Sequence, residues 1–180
     1  PKRRLRMYPF ELSGGMCQRV MIALALLCKP ELIIADEPTT ALDITIQAQI
    51  LDFLGSLKRR TETSVVIVTH DFGVAAELCD RVMVMYAGRI VEIGSIQDIF
   101  HRPQHPYTQG LLRATPRIDA DPDAAIDVIP GRPPDLVNVP SGCAFADRCT
   151  QVISACREVR PELKTRFDGH KAACFVEQPR

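Results

Sequence analysis

Three features that this sequence lacks limit what the chain can be. No apolar run approaches the roughly 20 residues that cross a bilayer, and no apolar segment resembling a signal peptide follows the basic first residues, so we expect a cytosolic chain. Basic and acidic residues both number 22, which gives no electrostatic reason to expect nucleic acid as the main partner. The phosphate-cradling pattern G-x-x-x-x-G-K-[ST] does not occur, so nucleotide binding by this chain alone is expected to be weak.

The length and the first residues suggest a part of a longer protein. The sequence does not begin with methionine and opens inside a patterned region, which predicts a fragment. Its 180 residues, 46% of them hydrophobic, are enough for one or two domains with a real core.

An apolar run that ends in two adjacent carboxylates organises the first half of the chain. The run from Leu32 to Ala35 is short and continuous, which predicts a strand buried on both faces, as in a parallel sheet. Asp36 and Glu37 follow at its carboxyl end, where open α/β sheets bind ligands. One carboxylate could hold a metal ion while the other orients and deprotonates a water. An exposed acidic turn after a core strand is the alternative for this stretch alone.

A glycine pair before an apolar helix indicates a second functional element. Ser13 can cap a helix predicted at about 15–28, whose residues are apolar nearly all round and therefore predict burial. Gly14 and Gly15 leave the helix amino end open to an anion or another ligand. An ordinary serine-capped helix would explain Ser13, but not the glycine pair followed by Gln18.

A second β-branched run predicts a strand that ends at a histidine. Val65 to Val68 favours another buried parallel strand, and His70 follows it. Because parallel strands in one sheet deliver their carboxyl ends to a common crevice, His70 is expected near Asp36 and Glu37. The other predicted elements are helices at about 44–60 and 72–79 capped by Asp43 and Asp71, a hairpin of strands 81–86 and 89–93 around Gly88, a helix from Ser95 to about Phe100, and a short helix at 109–114.

Three sequence blocks, in this order and spacing, resemble the second half of an ABC-type ATPase domain. The blocks are Leu12-Ser13-Gly14-Gly15-Met16-Cys17-Gln18-Arg19, Leu32 to Asp43, and Val65-Val66-Ile67-Val68-Thr69-His70-Asp71. They look like its signature motif, its Walker B strand with the following D-loop, and its switch histidine. The resemblance implies that residues 1–100 form the carboxyl-terminal part of an ABC-type P-loop NTPase core, an α/β fold of parallel strands with flanking helices.

The same resemblance implies a role for each matching residue. Asp36 would hold Mg²⁺, Glu37 would polarise the attacking water, and His70 would read the γ-phosphate of ATP. The remaining residues of the implied nucleotide site are Ser13, Gly14, Gly15 and Gln18 of the signature motif, which would face ATP held by a partner subunit, and Asp43 of the D-loop. Cys17 departs from the family, which usually has a polar residue there.

From His101 onward the composition changes to a proline-interrupted chain. The segments His105-Pro106-Tyr107-Thr108, Pro130-Gly131-Arg132-Pro133-Pro134 and Gly142 to Cys149 resemble the carboxyl-terminal extension of ATP-binding subunits of oligopeptide and dipeptide importers. Residues 101–180 are therefore expected to form an irregular Cys/Pro-rich extension of that type.

The seven cysteines fall into two sets. Cys17, Cys28 and Cys79 are solitary in apolar helices and predict buried free thiols, whereas the other four cluster in the extension, at Cys143, Cys149, Cys156 and Cys174. Their spacing is a weak metal signal, and the ligand chemistry leaves an iron–sulfur cluster and zinc both open. The importer family carries a [4Fe–4S] site in this extension, so the resemblance implies that cluster here, with zinc as the alternative. His170, near Cys174, is predicted at the surface.

The resemblance implies an ATP-binding subunit that powers the import of oligopeptides or dipeptides. It would lie on the cytoplasmic face of the inner membrane, with a second ABC ATPase subunit and two transmembrane permease subunits, and would depend indirectly on an external peptide-binding protein, without nucleic acid. The alternatives are a soluble ABC-type ATPase acting on nucleic acid or the ribosome, and an inactive cluster-bearing interaction fragment. The isolated 180-residue piece is expected to be inactive, because the P-loop lysine must come from an upstream segment.

Overall fold

The computed structural model of the chain describes residues 6–40, 42–115 and 127–178. It divides into two compact units, Pro1–Cys79 and Asp80–Arg180. The motif-based division at residue 100 remains a prediction. Among the described residues, the helices are all too short or too polar to cross a membrane.

The first unit combines a parallel strand pair with helices. Its elements are helix α1 (Gly14–Leu26), strand β1 (Leu32–Asp36), helix α2 (Ile44–Arg60), strand β2 (Ser64–Val68) and helix α3 (Phe72–Leu78). The strands pair in register from Leu32 opposite Ser64 to Asp36 opposite Val68. This parallel pair confirms the predicted α/β class and brings both carboxyl strand ends to one edge.

Side-chain caps fix where the helices of the first unit begin. Ser13, Asp43 and Asp71 each precede a helix and accept a hydrogen bond from a backbone N–H of its first turn, at 3.4, 2.9 and 2.7 Å. Such a cap contributes about 1 kcal/mol. Three basic residues in the last turn of α2 favourably oppose its dipole. The capped starts agree with those that the sequence predicts.

The core of the first unit lies between α2 and α3. Ile50 and Leu54 on α2 are 1% and 4% exposed, and Val74 on α3 is 2% exposed. The apolar residues of α2 recur at helical spacing, so one face of the helix is covered while the opposite face meets water.

The predicted burial of strands β1 and β2 and of helix α1 on all sides is not observed in the described residues, so that prediction is wrong here. Val66 and Val68 on β2 are 39% and 50% exposed. Leu32 and Ile34 on β1 are 51% and 68% exposed, and Met21 and Leu24 on α1 are 64% and 60% exposed. Burying every face of a strand or helix needs neighbours on all sides, and the described residues cover only part of these faces. Cys28, predicted as a buried thiol, is exposed for the same reason.

The second unit is built around an antiparallel sheet. Its elements are strands β3 (Arg81–Tyr86) and β4 (Arg89–Ser95), helices α4 (Ile96–His101), α5 (Pro106–Ala114) and α6 (Ser154–Glu158), and strands β5 (Lys164–Phe167) and β6 (His170–Ala172). The strand order is β3-β4-β6-β5. Ala87 and Gly88 have φ values of 46° and 73°, which close the predicted hairpin as a two-residue turn. Ser95 caps α4 as predicted.

Helix α5 begins earlier than the sequence predicts. The predicted start is residue 109, but the helix begins at Pro106, because proline tolerates the first helical position and the ring Nδ1 of His105 accepts from the backbone N–H of Tyr107 at 3.1 Å. Histidine is an uncommon cap, which is why the boundary was not recognisable from the sequence.

His170 is buried, so its predicted surface position is wrong. Its Nε2 lies 2.7 Å from Oε1 of Glu92, and both side chains have no solvent exposure. The same carboxylate accepts the backbone N–H groups of Gln104 and His105, at 2.5 and 3.0 Å. Gly94 makes room for the imidazole, since a Cβ atom there would lie 2.6 Å from Nδ1 of His170. A buried carboxylate thus joins β4, β6 and the segment that leads into α5.

Candidate functional site

The ends of the two parallel strands bring a carboxylate and an imidazole together. The backbone N–H of Glu37 donates to the carbonyl of Val68 at 2.9 Å, which extends the ladder one residue past β1. Nδ1 of His70 then lies 3.3 Å from Oε1 of Glu37, with the two side chains 79% and 47% exposed. Both groups are open to a ligand on the solvent side.

Glu37 is held by contacts to both of its carboxylate oxygens. The hydroxyl of Thr40 donates to Oε2 at 2.8 Å, while His70 faces Oε1. These two hydrogen bonds, with that from Thr40 the larger, lower the pKa of the Glu37 carboxyl. The group is therefore an ionised acceptor at neutral pH.

The backbone at Glu37 is unusual for a residue with a side chain. Its φ is 44°, in the left-handed region, and the backbone N–H of Thr40 donates to the Glu37 carbonyl at 3.1 Å to close a turn. A non-glycine residue in this region costs of the order of 1 kcal/mol. Strain of this kind recurs at functional sites, where surrounding contacts hold it in place.

Asp36 ends strand β1, and Asp43 precedes helix α2. Asp36 is the last residue of β1 and is exposed at its carboxyl end. Asp43 accepts from the backbone N–H of Ile46 at 2.9 Å and so begins α2. The exposed Asp36 carboxylate offers oxygen atoms of the type that Mg²⁺ prefers. The Asp43 carboxylate, by contrast, already accepts a hydrogen bond as the cap of α2.

The glycine pair at the start of α1 has two different environments. Ser13 and Gly14 are exposed, and a Cβ atom on Gly14 would come no closer than 4.0 Å to the Leu42 side chain. A Cβ atom on Gly15 would lie 2.7 Å from a methyl group of Ile46. Gly15 therefore permits α1 to pack against α2, and Gly14 leaves the helix end open.

Gln18 connects the glycine helix to the turn after β1. Its side-chain amide donates to the carbonyl of Pro38 at 2.9 Å, and Pro38 is buried. The resemblance implied a nucleotide contact for Gln18, a role that remains a prediction. Its observed contact fixes the residue next to Glu37.

The four clustered cysteines line one small cavity in the second unit. Cys143, Cys149, Cys156 and Cys174 share it with apolar side chains that include Phe145. Within the described ranges, no three or more His, Cys, Asp or Glu side chains converge on a position for a single metal ion. The four thiols therefore line a common cavity but do not converge on a position for one metal ion.

Backbone donors point at several of these sulfurs. The N–H of Gln151 donates to Sγ of Cys149 at 3.4 Å, and backbone N–H groups also reach Cys143 and Cys174. Burial raises the pKa of these three thiols, and the backbone donors partly offset that rise. Half-buried thiols that accept backbone N–H hydrogen bonds form a set of ligands that a cation would convert to thiolates.

Gly142 allows two of the cysteine segments to meet. The backbone N–H of Cys143 donates to the carbonyl of Cys156 at 2.7 Å, and a Cβ atom on Gly142 would lie 2.4 Å from that carbonyl oxygen. Sequence reasoning did not identify this role, and neither did it identify Thr40. A glycine directly before a cluster cysteine is the one signal that the sequence offers.

Comparisons with known proteins agree with the motifs. Residues 1–40 match the ABC transporter family, and residues 91–156 match the oligopeptide/dipeptide transporter C-terminal region. All 180 residues align at 51% identity with the dipeptide transport ATP-binding protein DppD of Bacillus subtilis (strain 168), of which they cover 53%. Over 97% of the chain, identity is 52% with the oligopeptide transport ATP-binding protein OppD of Salmonella typhimurium (strain LT2), of which 51% is covered.

The chain also resembles a solved structure, the dimer of the ATP-binding cassette MJ0796 in a post-hydrolysis state bound to ADP and Pi. The match covers 53% of this chain and 41% of that chain, at 36% sequence identity and a TM-score of 0.48. The chain spans about half the length of the curated relatives that it matches.

Proposed function

Since the chain belongs to the ATP-binding proteins of oligopeptide and dipeptide ABC transporters, we propose that the whole protein hydrolyses ATP to power peptide import. The observation that carries the proposal is the 3.3 Å contact between His70 and Glu37 at the end of a parallel strand pair. The imidazole is 79% exposed and the carboxylate 47% exposed, so both can reach a bound ligand.

In the proposed reaction, the residues at the strand ends act on the attacking water, the terminal phosphate and Mg²⁺. The ionised carboxylate of Glu37 accepts a hydrogen bond from the attacking water and polarises it toward the γ-phosphate. His70 contacts that carboxylate at Nδ1 and donates from Nε2 to the terminal phosphate, which takes an N–H on each ring nitrogen. Asp36 would hold Mg²⁺, whose charge offsets the negative charge that develops on the phosphate oxygens.

The open end of α1 supports a role in binding a nucleotide held by a second subunit. Its first backbone N–H groups carry partial positive charge, and the exposure of Ser13 and Gly14 leaves them accessible. Asp43 would lie at the same interface. We propose that the partners are a second ATPase subunit and two transmembrane permeases at the cytoplasmic face of the inner membrane, with an external peptide-binding protein acting indirectly.

The test replaces the proposed base in the whole subunit, assembled with its transporter partners. Glu37→Gln is expected to reduce ATP hydrolysis by about 10²–10⁴-fold while leaving nucleotide binding intact. Glu62→Gln, in an exposed loop between α2 and β2, is the matched control and should keep wild-type turnover. Wild-type hydrolysis by Glu37→Gln would overturn the proposal. A soluble ATPase acting on nucleic acid and an inactive interaction fragment are both less well supported, because the relatives are named as peptide transport proteins.

We further propose that the four-cysteine cavity holds a [4Fe–4S] cluster. Four thiols line the cavity, and a cluster takes one thiolate at each of four irons, so the sulfurs need not converge on a single atom. Zinc, the alternative, would need all four sulfurs about 2.3 Å from one ion. Cys143, Cys149, Cys156 and Cys174 would be the ligands, and the N–H donors around them would stabilise the thiolate charge.

Metal and sulfide analysis of the anaerobically purified protein tests this assignment. We expect about four iron and four sulfide per chain, and a loss of both in Cys149→Ser. Cys28→Ser changes an exposed cysteine outside the cavity and should retain the cluster. Stoichiometric zinc without sulfide would refute the cluster.

A further inference from the structure

The turn that carries Glu37 contains a second residue whose side chain acts on the carboxylate. The Thr40 hydroxyl lies 2.8 Å from Oε2, on the oxygen that His70 does not contact. Each carboxylate oxygen thus has one donor within the protein, and the remaining lone pairs face solvent. A glutamate side chain that is about half exposed would otherwise move among several rotamers.

Contacts within the turn hold Thr40 in place for this interaction. Its backbone N–H donates to the Glu37 carbonyl, and the carbonyl of the intervening Pro38 accepts from Gln18. Threonine is β-branched and has few χ1 rotamers, so a fixed backbone also fixes the direction of its hydroxyl. The left-handed φ of Glu37 belongs to the same turn, which links an unusual backbone to one side-chain geometry.

We infer that Thr40 is a positioning residue for hydrolysis, whose hydroxyl holds the Glu37 carboxylate with Oε1 toward His70 and the attacking water. This inference rests on the proposed function. The simpler account is that the hydroxyl only stabilises the turn. The two accounts differ, because a turn contact would affect folding, whereas a positioning contact affects turnover at full folding.

The hydrogen bond from Thr40 can be removed without emptying the space that its side chain fills. A methyl group in the same place would fill the space without donating.

Three variants of the whole transporter subunit separate these accounts. Thr40→Val keeps the β-branched shape and loses the donor, and we expect kcat to fall about 10- to 100-fold with the KM for ATP nearly unchanged. Thr40→Ser restores the hydroxyl and should recover most of the activity. Thr39→Val is the control, since the observed Thr39 hydrogen bond is made by its backbone carbonyl.

The same whole-subunit variants also separate turnover from folding. Thr40→Val is expected to keep the circular dichroism spectrum and the melting temperature of wild type while its kcat falls. A wild-type kcat in Thr40→Val, or a loss of kcat that Thr40→Ser does not restore, would overturn the inference. If Glu37→Gln were inactive in that same experiment, only the role of Thr40 would fail. If Glu37→Gln stayed active, the proposed function itself would fail.

Discussion

His105 makes the stability of the second unit depend on pH in a direction that can be worked out. It is 1% exposed, and burial lowers its pKa to about 4, with a further effect from the positive charge of Arg166. Its Nδ1 accepts from the backbone N–H of Tyr107, so the folded ring must be neutral with its proton on Nε2. Protonation would place an N–H where α5 needs an acceptor.

The sign follows from comparing proton binding in the two states. An unfolded histidine has a pKa of about 6.5, while the folded His105 has a pKa of about 4. Between these values only the unfolded chain binds the proton, so the free energy of unfolding falls as the pH falls. The loss is about 1.4 kcal/mol per pH unit, or about 2 kcal/mol between pH 6.5 and pH 5. Near-complete burial means that solvent screening reduces this figure little.

Urea unfolding at pH 7 and pH 5 measures the effect. The sequence has no tryptophan, and the rings of Tyr86 and Tyr107 lie 4.6 Å apart in this unit, so tyrosine fluorescence follows the transition. His105→Asn keeps a capping acceptor without the titration and should lose about 2 kcal/mol less than wild type over this range. His101→Asn, at an exposed position, should behave as wild type. An identical pH dependence in His105→Asn and wild type would refute the reasoning.

Three substitutions test packing and polar burial in the same way. Gly15→Ala should destabilise the first unit by about 1–3 kcal/mol, because its Cβ atom would lie 2.7 Å from the Ile46 side chain. Gly14→Ala is the control, since its Cβ atom would lie 4.0 Å from the Leu42 side chain. Thermal unfolding compares the two variants, and equal melting temperatures would contradict the packing role of Gly15. Glu92→Gln should destabilise the second unit by about 3 kcal/mol, because an amide NH₂ would replace a buried oxygen that accepts from N–H donors; a urea midpoint equal to that of wild type would count against it. Thr108→Val should be neutral or stabilising, because the buried hydroxyl has no hydrogen-bond partner among the described residues; a large loss of stability would contradict this.

Local sequence signals predicted the element boundaries well. Helix α2 covers the predicted range 44–60 after its Asp43 cap, and the hairpin forms at Ala87 and Gly88. These features depend on residues within four positions of each other, so the information is contained in a short stretch. The cap of α5 escaped prediction because histidine rarely serves there.

Features that depend on distant residues could not be predicted. Glu92 and His170 are far apart in the chain and both polar, so nothing near either residue indicates that they contact each other in the interior. The exposure of β1 shows the converse case. The apolar character of Leu32 and Ile34 predicts burial, but burial depends on which other segments cover the strand.

The candidate active site was predictable in outline and not in detail. The order of strands and acidic residues was enough to expect Glu37 near His70, since parallel strands end at one edge. A glycine, by contrast, can serve ligand access or close packing, and the sequence does not distinguish the two. In the structure, Gly15 allows close packing against α2, and Gly14 leaves room for a ligand.

The state of Glu37 in this structure implies that full base strength depends on closure of the site. The hydrogen bonds from Thr40 and His70 keep its pKa below the ordinary value, and a carboxylate of that kind is a weak proton acceptor. Covering the strand ends with a nucleotide and a second subunit would remove water, and desolvation raises the pKa of a carboxyl group. Under the proposed function, Glu37 would therefore orient water in the open form and become a competent base when the partner closes over it. Hydrolysis would then be coupled to assembly through the solvent exposure of one side chain.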